Sequence, residues 1–450
     1  MKLTLSGPAA RLSLFSAGVL AAALLAGCGG GDSTDSSDAT EASASIDGLS
    51  IDTCGDVEYE GSGTPEGIIV SDLPMQGDSA ERSDQQVEAI RLMLDQNDWT
   101  AGDTPVAFQA CDDSSADTGL WDEGICKDNA TAYADDDRVL GVIGTYNSGC
   151  AAIEIPILNK ADVAMISPGN TAVCLTESSS LCEDGQPDSL YPTGDRNYAR
   201  VIPNDAFQGA ALAQFTSEEE NAIRPFVLYA ADDPTSTGQA QNFKGAAGEL
   251  GLDVAGYETW DPKADDYTKL FEQVKSSGAD AVVLAGLTDQ NGGQLIDDKV
   301  KVLGSNAKIP LVAFDGFAQQ ATIDDAGEAS AGMFASIPGS APENLSSNGV
   351  AFVSDLGDAL DGAPVEQFAP YAAEAASVLL GAIETGGTDR AAITSAVFDT
   401  KGGGGILNPY DIGPNGDPSV GPVTILEAGK TFEVDTEVTP DDVLVKSARG

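Results

Sequence analysis

No histidine occurs anywhere in the 450 residues. Its absence removes the usual general base near neutral pH, the Ser-His-Asp arrangement and imidazole metal sites. Basic residues are scarce as well: 22 Lys and Arg stand against 72 Asp and Glu, a formal charge of −50. With no basic patch to neutralise phosphates, nucleic acid is a poor partner. None of the seven cysteines forms a tight C-x2-C pair, which argues against zinc. "GGGG" at 402–405 runs into Ile, Leu, Asn and Pro rather than a helix, and "EAGKT" at 427–431 lacks the upstream glycine of a phosphate-binding loop. Acidic runs such as 135–137 miss the spacing of a calcium loop and read as solvated faces. Paired carboxylates for glycoside chemistry give no specific signal among so many acids. These gaps point away from an enzyme, and neither a metal nor a cofactor is expected.

What is present begins at the N-terminus. Lys2 and Arg11 precede an apolar run from Leu12 to Ala26, the pattern of an export signal rather than a membrane span. Its ending, Leu25-Ala26-Gly27-Cys28, resembles the lipobox of bacterial lipoproteins. That resemblance implies a signal over 1–27 and lipidation of Cys28, which would anchor the exported chain at the outer face of the cell membrane or in the periplasm. A plain secretory signal is the other reading. Residues 28–64 are small, polar and acidic and read as a flexible tether. Acidity spread along the whole chain is similar to that of proteins adapted to high salt, where screening weakens self-repulsion. An acidic exported protein from an ordinary habitat is the alternative.

Six cysteines remain: Cys54, Cys111, Cys126, Cys150, Cys174 and Cys182. An even number in an exported chain favours disulfides. Closeness in sequence favours Cys111 with Cys126 and Cys174 with Cys182, leaving Cys54 for Cys150, although other pairings stay open.

From about Pro65, short apolar strands alternate with amphipathic helices: "GIIVSDL", "ERSDQQVEAIRLMLDQ", "TPVAFQACDD", a helix through Tyr133, "RVLGVIGTY", "CAAIEIPILNK" and "VAMISP". The rhythm breaks after Asn170 and resumes at "PFVLYA", so the alternation occurs twice. The expectation is an α/β protein of two doubly wound parallel-sheet lobes with a cleft where their strand ends face each other. The helix at "QFAPYAAEAASVLLGAIETG" has the apolar weight to return to the first lobe, so the chain crosses between lobes more than once. The boundaries expected are 65–203 and 338–405 for lobe 1, and 204–337 and 406–446 for lobe 2.

Two loops of small polar residues, "NSG" and "SPGNT", end neighbouring strands of the first lobe. Ser148 sits where a strand gives way to a helix, so its hydroxyl and the free N–H groups suit a carboxylate; capping its own helix is the alternative. Thr171 offers a second hydroxyl and Gly169 a carbonyl acceptor. Donors beside acceptors suit a small polar or zwitterionic ligand.

The pattern "VIGTYNSG…AAIEIPILN…VAMISPGNT…NYARVIPNDAFQGAALAQF" resembles the periplasmic solute-binding proteins of the branched-chain amino acid (Leu/Ile/Val-binding) type. The likeness runs from about Gly67 to Val434. It implies the type I periplasmic binding fold, three crossings at the hinge, and delivery of ligand to an ABC permease complex. It also implies that Ser148 and Thr171 hold the ligand carboxylate, that the Gly169 carbonyl and Thr171 meet the ammonium, and that Asp315 in "VAFDGF" neutralises it. Asp315 as a plain turn residue is the competing reading. The family's aromatic positions are replaced at "YAADDPTST", which puts Asp232 or Asp233 at the cleft, and at "GLTDQNGG", which offers Leu287 and Thr288. The pocket expected is therefore more polar than one built for leucine, and an amide or urea-like solute stays open beside an amino acid. Function would follow from lobe closure over the ligand in a monomer. A membrane-anchored sensor of the same fold, signalling to a receptor, is the second possibility.

Overall fold

The computed structural model describes residues 46–180, 182–231 and 233–450. Cys28 with the expected export signal, and Asp232, lie outside the described residues. β1 (Gly67–Leu73) is buried along its whole length, as expected of a strand whose sheet is covered on both faces. α1 (Ala80–Gln96), β2 (Thr100–Ala101), β3 (Thr104–Asp112), α2 (Glu123–Asp135), β4 (Val139–Gly144), α3 (Ser148–Asn159), β5 (Ala164–Ser167) and β6 (Tyr198–Arg200) complete the first pass. The sheet order is β2-β3-β1-β4-β5-β6. β3 to β6 run parallel, and β2 pairs antiparallel with β3. The winding reverses at β1, so the strand ends beside it open a crevice.

The second lobe follows the same logic. It contains α4 (Asp205–Glu218), β7 (Pro225–Ala230), α5 (Pro234–Glu249), β8 (Gly256–Trp260), α6 (Thr268–Ser277), β9 (Ala281–Ala285), α7 (Gly292–Leu303), β10 (Leu311–Ala313), α8 (Gln320–Ala326) and β11 (Phe334–Pro338). Asp233 starts α5 by accepting from Thr235 N at 3.0 Å, with Pro234 in the first turn where its missing N–H costs nothing. The chain then returns to lobe 1 as α9 (Ser347–Ala359), α10 (Ala369–Gly386) and α11 (Arg390–Phe398). It crosses back for β12 (Val423–Ala428), β13 (Phe432–Val438) and α12 (Asp442–Ala448). The second sheet runs β13-β12-β11-β10-β9-β7-β8, with β12 antiparallel to both β11 and β13 at one edge. Helices cover both faces of each sheet, giving the two-lobed α/β architecture with three crossings. At the third crossing Gly416 has φ +93°, and a Cβ there would stand 2.3 Å from the Tyr198 carbonyl oxygen. Only glycine lets this segment lie against β6, where Arg200 N donates to Gly416 O at 2.9 Å.

Three expectations need correction. Cys54 pairs with Cys111 and Cys126 with Cys150; only Cys174–Cys182 follows sequence proximity. The reason is packing: the segment with Cys54 lies antiparallel on the edge of β3, while α2 and α3 are packed neighbours. Loop-closure entropy suggests about 3 kcal/mol for a crosslink of the Cys126–Cys150 kind. The second difference is the tether, which was expected to run to residue 64. Residues 49–58 are instead strapped to lobe 1: Gln109 bonds Leu49 N at 2.8 Å and Gly55 O at 2.8 Å, and Glu58 pairs with Arg91 at 2.6 Å. Third, Ile406, Leu407, Tyr410 and Ile412, expected in lobe 2, pack in the lobe 1 core.

Candidate functional site

The two small-residue loops are stitched to each other before any ligand is considered. Ser167 Oγ donates to Thr145 O at 2.8 Å and accepts from Gly169 N at 3.1 Å and Asn170 N at 2.9 Å. Asn170 Nδ2 then donates to Tyr146 O at 3.0 Å. Ser148 is the first residue of α3, with Asn147 as the flanking cap residue and no side-chain cap bond there. Ser148 therefore does not cap its own helix. Its Oγ accepts from Ala172 N at 3.2 Å, which draws the second loop against the helix start and leaves the hydroxyl hydrogen to be placed elsewhere. The N–H groups of the first turn add the positive end of the helix dipole.

The second lobe brings acceptors. Asp205 opens α4, and its backbone N donates to Thr171 O at 2.8 Å across the first crossing. The Thr171 side chain lies near the Asp205 carboxyl and works against the rise that burial causes there. Asp315 follows β10, and its Oδ1 accepts from Gln208 of α4 at 3.2 Å and Gln239 of α5 at 2.9 Å. Burial pushes Asp205 up to about 7, with the Asp315 charge adding to it. Burial also raises Asp315, while bonds from Gln208 and Gln239 and the Arg82 charge pull the other way. Asp205 Oδ1 and Gln208 Oε1 are buried acceptors without a partner.

The first lobe also contributes residues that local sequence reading missed. Arg82 of α1 bonds Tyr146 Oη at 2.5 Å and Glu366 Oε1 at 2.8 Å. Its guanidinium lies 5.2 Å from the Tyr146 ring centroid and 5.5 Å from that of Phe368, a cation–π arrangement. Burial works against the Arg82 charge, but Tyr146 and Glu366 outweigh it and hold the group above its ordinary range. Burial pushes Tyr146 up to about 12, and the Asp315 charge adds to that rise from the opposite lobe. Arg82 is the first basic residue after Arg11, and that isolation in an acidic stretch was the available signal. Asp205 and Gln208 were present in "NDAFQ" without an assigned role.

The remaining expected residues behave differently. Thr288 is 2% exposed, and its hydroxyl is used on Gly316 O at 3.1 Å and Thr322 Oγ1 at 2.5 Å. It fastens the loop after β9 to the loop carrying Asp315 instead of facing the cleft. Leu287 is 45% exposed, and its backbone N is held by Gln290 Oε1 at 2.8 Å. Asp233 is occupied with capping and with Gln290 Nε2 at 2.8 Å. Among the described residues, the grouping with metal-ligand spacing is Asp113, Cys126 and Cys150, whose sulfurs are already bonded to each other. An apolar cavity of about 240 Å³ lies at the crossings, lined in part by Val201, Tyr371, Leu407 and Val420. It contains none of the polar groups above, so chemistry favours the interlobe cleft as the site.

Comparison with known proteins bears on the fold and the family. Leu/Ile/Val-binding protein homolog 2 of Brucella abortus is 25% identical over 292 residues, 65% of this chain and 72% of that protein. The crystal structure of the leucine-binding protein LivK of Thermotoga maritima superposes with a TM-score of 0.67 at 22% identity, covering 84% of this chain and 99% of that one. A solute-binding protein of an ABC transporter from R. palustris, in complex with benzoate, superposes with a TM-score of 0.62 at 18% identity, covering 83% and 96%. This chain shares the fold of both structures. The sequence profile described as periplasmic binding protein matches residues 73–430, and the chain belongs to that family of solute-binding proteins.

Proposed function

We propose that the protein is an exported lipoprotein, anchored through Cys28, that captures a small amino acid or related polar metabolite between its lobes and delivers it to an ABC importer. One observation carries the reading. Donors at the start of α3, with Ser148, stand on the first lobe, while partnerless acceptors of Asp205 and Gln208, beside Asp315, stand on the second. A zwitterion fits that polarity, its carboxylate at the helix N-terminus and its ammonium toward the carboxylates. Ser148, the Gly169 carbonyl and Thr171 are the first-lobe contacts in this reading, and Asp315 with Asp205 the second-lobe contacts. Tyr146, Phe368 and the Arg82 guanidinium form one end of the side-chain pocket.

An amide or urea-like solute is the second reading, favoured by the amides of Gln208 and Gln239 beside Asp315. The test is calorimetric titration of residues 43–450, which form one compact unit, against leucine, isoleucine, valine, polar amino acids, short amides and urea, in low and high salt. One-to-one binding of an amino acid is expected. Ser148→Ala should weaken it about 10- to 100-fold, the loss of one hydrogen bond to a charged group. Binding of amides alone would correct the ligand and keep the cleft. A folded protein that binds nothing would remove the reading.

A further inference from the structure

Three carboxyl groups lie wholly inside the first lobe without a basic neighbour. Asp72 lies near the end of β1, Asp113 follows β3 and Glu154 sits on α3, and all three are 0% exposed. Tyr133 and Asn129 of α2 complete the layer, both fully or almost fully buried. Asn129 Nδ2 reaches the Asp72 oxygens at 3.1 and 3.3 Å and Asp112 O at 3.0 Å. The Tyr133 hydroxyl and the Glu154 carboxyl lie close enough to Asp72 to work against the effect of its burial, yet the Tyr133 hydroxyl has no hydrogen-bond partner. Neither oxygen of Asp113 has a hydrogen-bond partner, and Glu154 Oε2 has none either. An Asp113 oxygen and the sulfurs of Cys126 and Cys150 lie within 4.8 Å of one another, so the disulfide closes the cluster.

The surrounding charges do not neutralise it. Asp112, half-buried at the edge, is used on Met75 N, Ser114 and Gln76. The Arg390 guanidinium, near the end of α2, is spent on the carbonyls of Val139, Tyr133, Ala134 and Asp136. The charges acting on Asp113 and Glu154 are all acidic. Desolvated carboxylates with no cation and too few donors cannot all be ionised, and two carboxyl groups that hydrogen-bond to each other need a proton between them.

We propose that this cluster holds protons at neutral pH, with Glu154 donating to Asp72 and Asp113 neutral, and that it makes the docking of α2 and α3 on the first sheet a proton-dependent latch. Burial pushes Asp113 up to about 9, with Asp72 and Asp112 adding to the rise. Burial, then the Asp72 charge, raises Glu154 well above its ordinary range. Asp72 rises only to about 6, because Glu154, Tyr133 and the hydrogen-bonded Asn129 beside it offset its burial. In the unfolded chain these groups titrate near roughly 4. The folded state therefore binds protons more tightly than the unfolded one. This contribution to stability is complete below about pH 4 and is lost as pH rises toward the folded values.

The test is the thermal midpoint of the whole exported chain from about pH 5 to pH 9, for the native sequence and for Asp113→Asn, with EDTA and with added calcium. The native midpoint is expected to fall across this range and the variant's to fall less, so that their difference widens with pH in favour of Asp113→Asn. Parallel profiles would overturn the proposal. Infrared spectroscopy of the unaltered chain needs no variant: a protonated-carboxyl stretch at neutral pH that fades in alkali is expected, and its absence would also overturn it. So would a midpoint that calcium raises and EDTA lowers without such a band, since the cluster would then be ionised around a cation.

Discussion

Replacing Arg200 with alanine is expected to destabilise the protein by about 3–5 kcal/mol, the cost of leaving one partner of a buried ion pair alone. Arg200 is wholly buried, and its Nε lies 2.7 Å from Asp417 Oδ1. The same guanidinium donates to Asn170 O at 3.0 Å, Ala172 O at 2.9 Å and Thr176 Oγ1 at 2.5 Å. Asp417 in turn accepts from Thr176 Oγ1, Asn204 Nδ2 and Asn415 Nδ2, each at 3.0 Å. One pair thus joins β6, the first crossing, the third crossing and both carbonyls flanking Thr171. Alanine at 200 would strand a carboxylate and two backbone acceptors in a space that water does not reach. Denaturant unfolding checks this, and Arg200→Met with Asp417→Leu should cost far less than Arg200→Ala alone because no charge is left unpaired. A single alanine variant within about 1 kcal/mol of the native protein would contradict the account.

The largest effect on binding is expected at Asp315. Asp315→Ala removes the carboxylate proposed to meet the ammonium and leaves the amides of Gln208 and Gln239 without their shared acceptor. Removing one partner of a desolvated charge pair typically costs about 2–5 kcal/mol, which is a loss of roughly 30-fold or more in affinity. The sign with pH follows from the raised carboxyls. Asp205, at about 7 in the free protein, is partly protonated near neutrality, and an arriving cation would favour its ionised form. Binding of an amino acid near pH 7 should therefore release protons, seen as a dependence of the apparent enthalpy on the buffer's ionisation heat. As pH falls further, protonation of Asp205 and Asp315 should weaken binding. Proton uptake on binding, or unchanged affinity in Asp315→Ala, would place the ammonium elsewhere.

How much of this was legible beforehand differs by residue. The strand–helix alternation is written in local periodicity, so the two α/β lobes could be read directly. That Ser148, Gly169 and Thr171 lie near one another was legible because they follow neighbouring parallel strands, and parallel pairing brings such ends to one edge. Arg82, Tyr146 and Glu366 were not, because they meet only after α1, the loop after β4 and the approach to α10 have packed. The same holds for Gln208 and Gln239, which reach Asp315 across 107 and 76 residues of sequence. Thr288 was misplaced because facing a loop and facing a cleft look alike in sequence. The cysteines failed for a related reason: spacing along the chain says little when a strap pairs with β3 and two helices pack together.

The most direct measurement is a crystal structure with a bound amino acid found by titration. The account predicts density between Ser148 and Asp315, with the ligand carboxylate at the start of α3 and its amine toward Asp205 and Asp315. Density in the apolar cavity at the crossings, or a carboxylate turned toward Asp315, would contradict it.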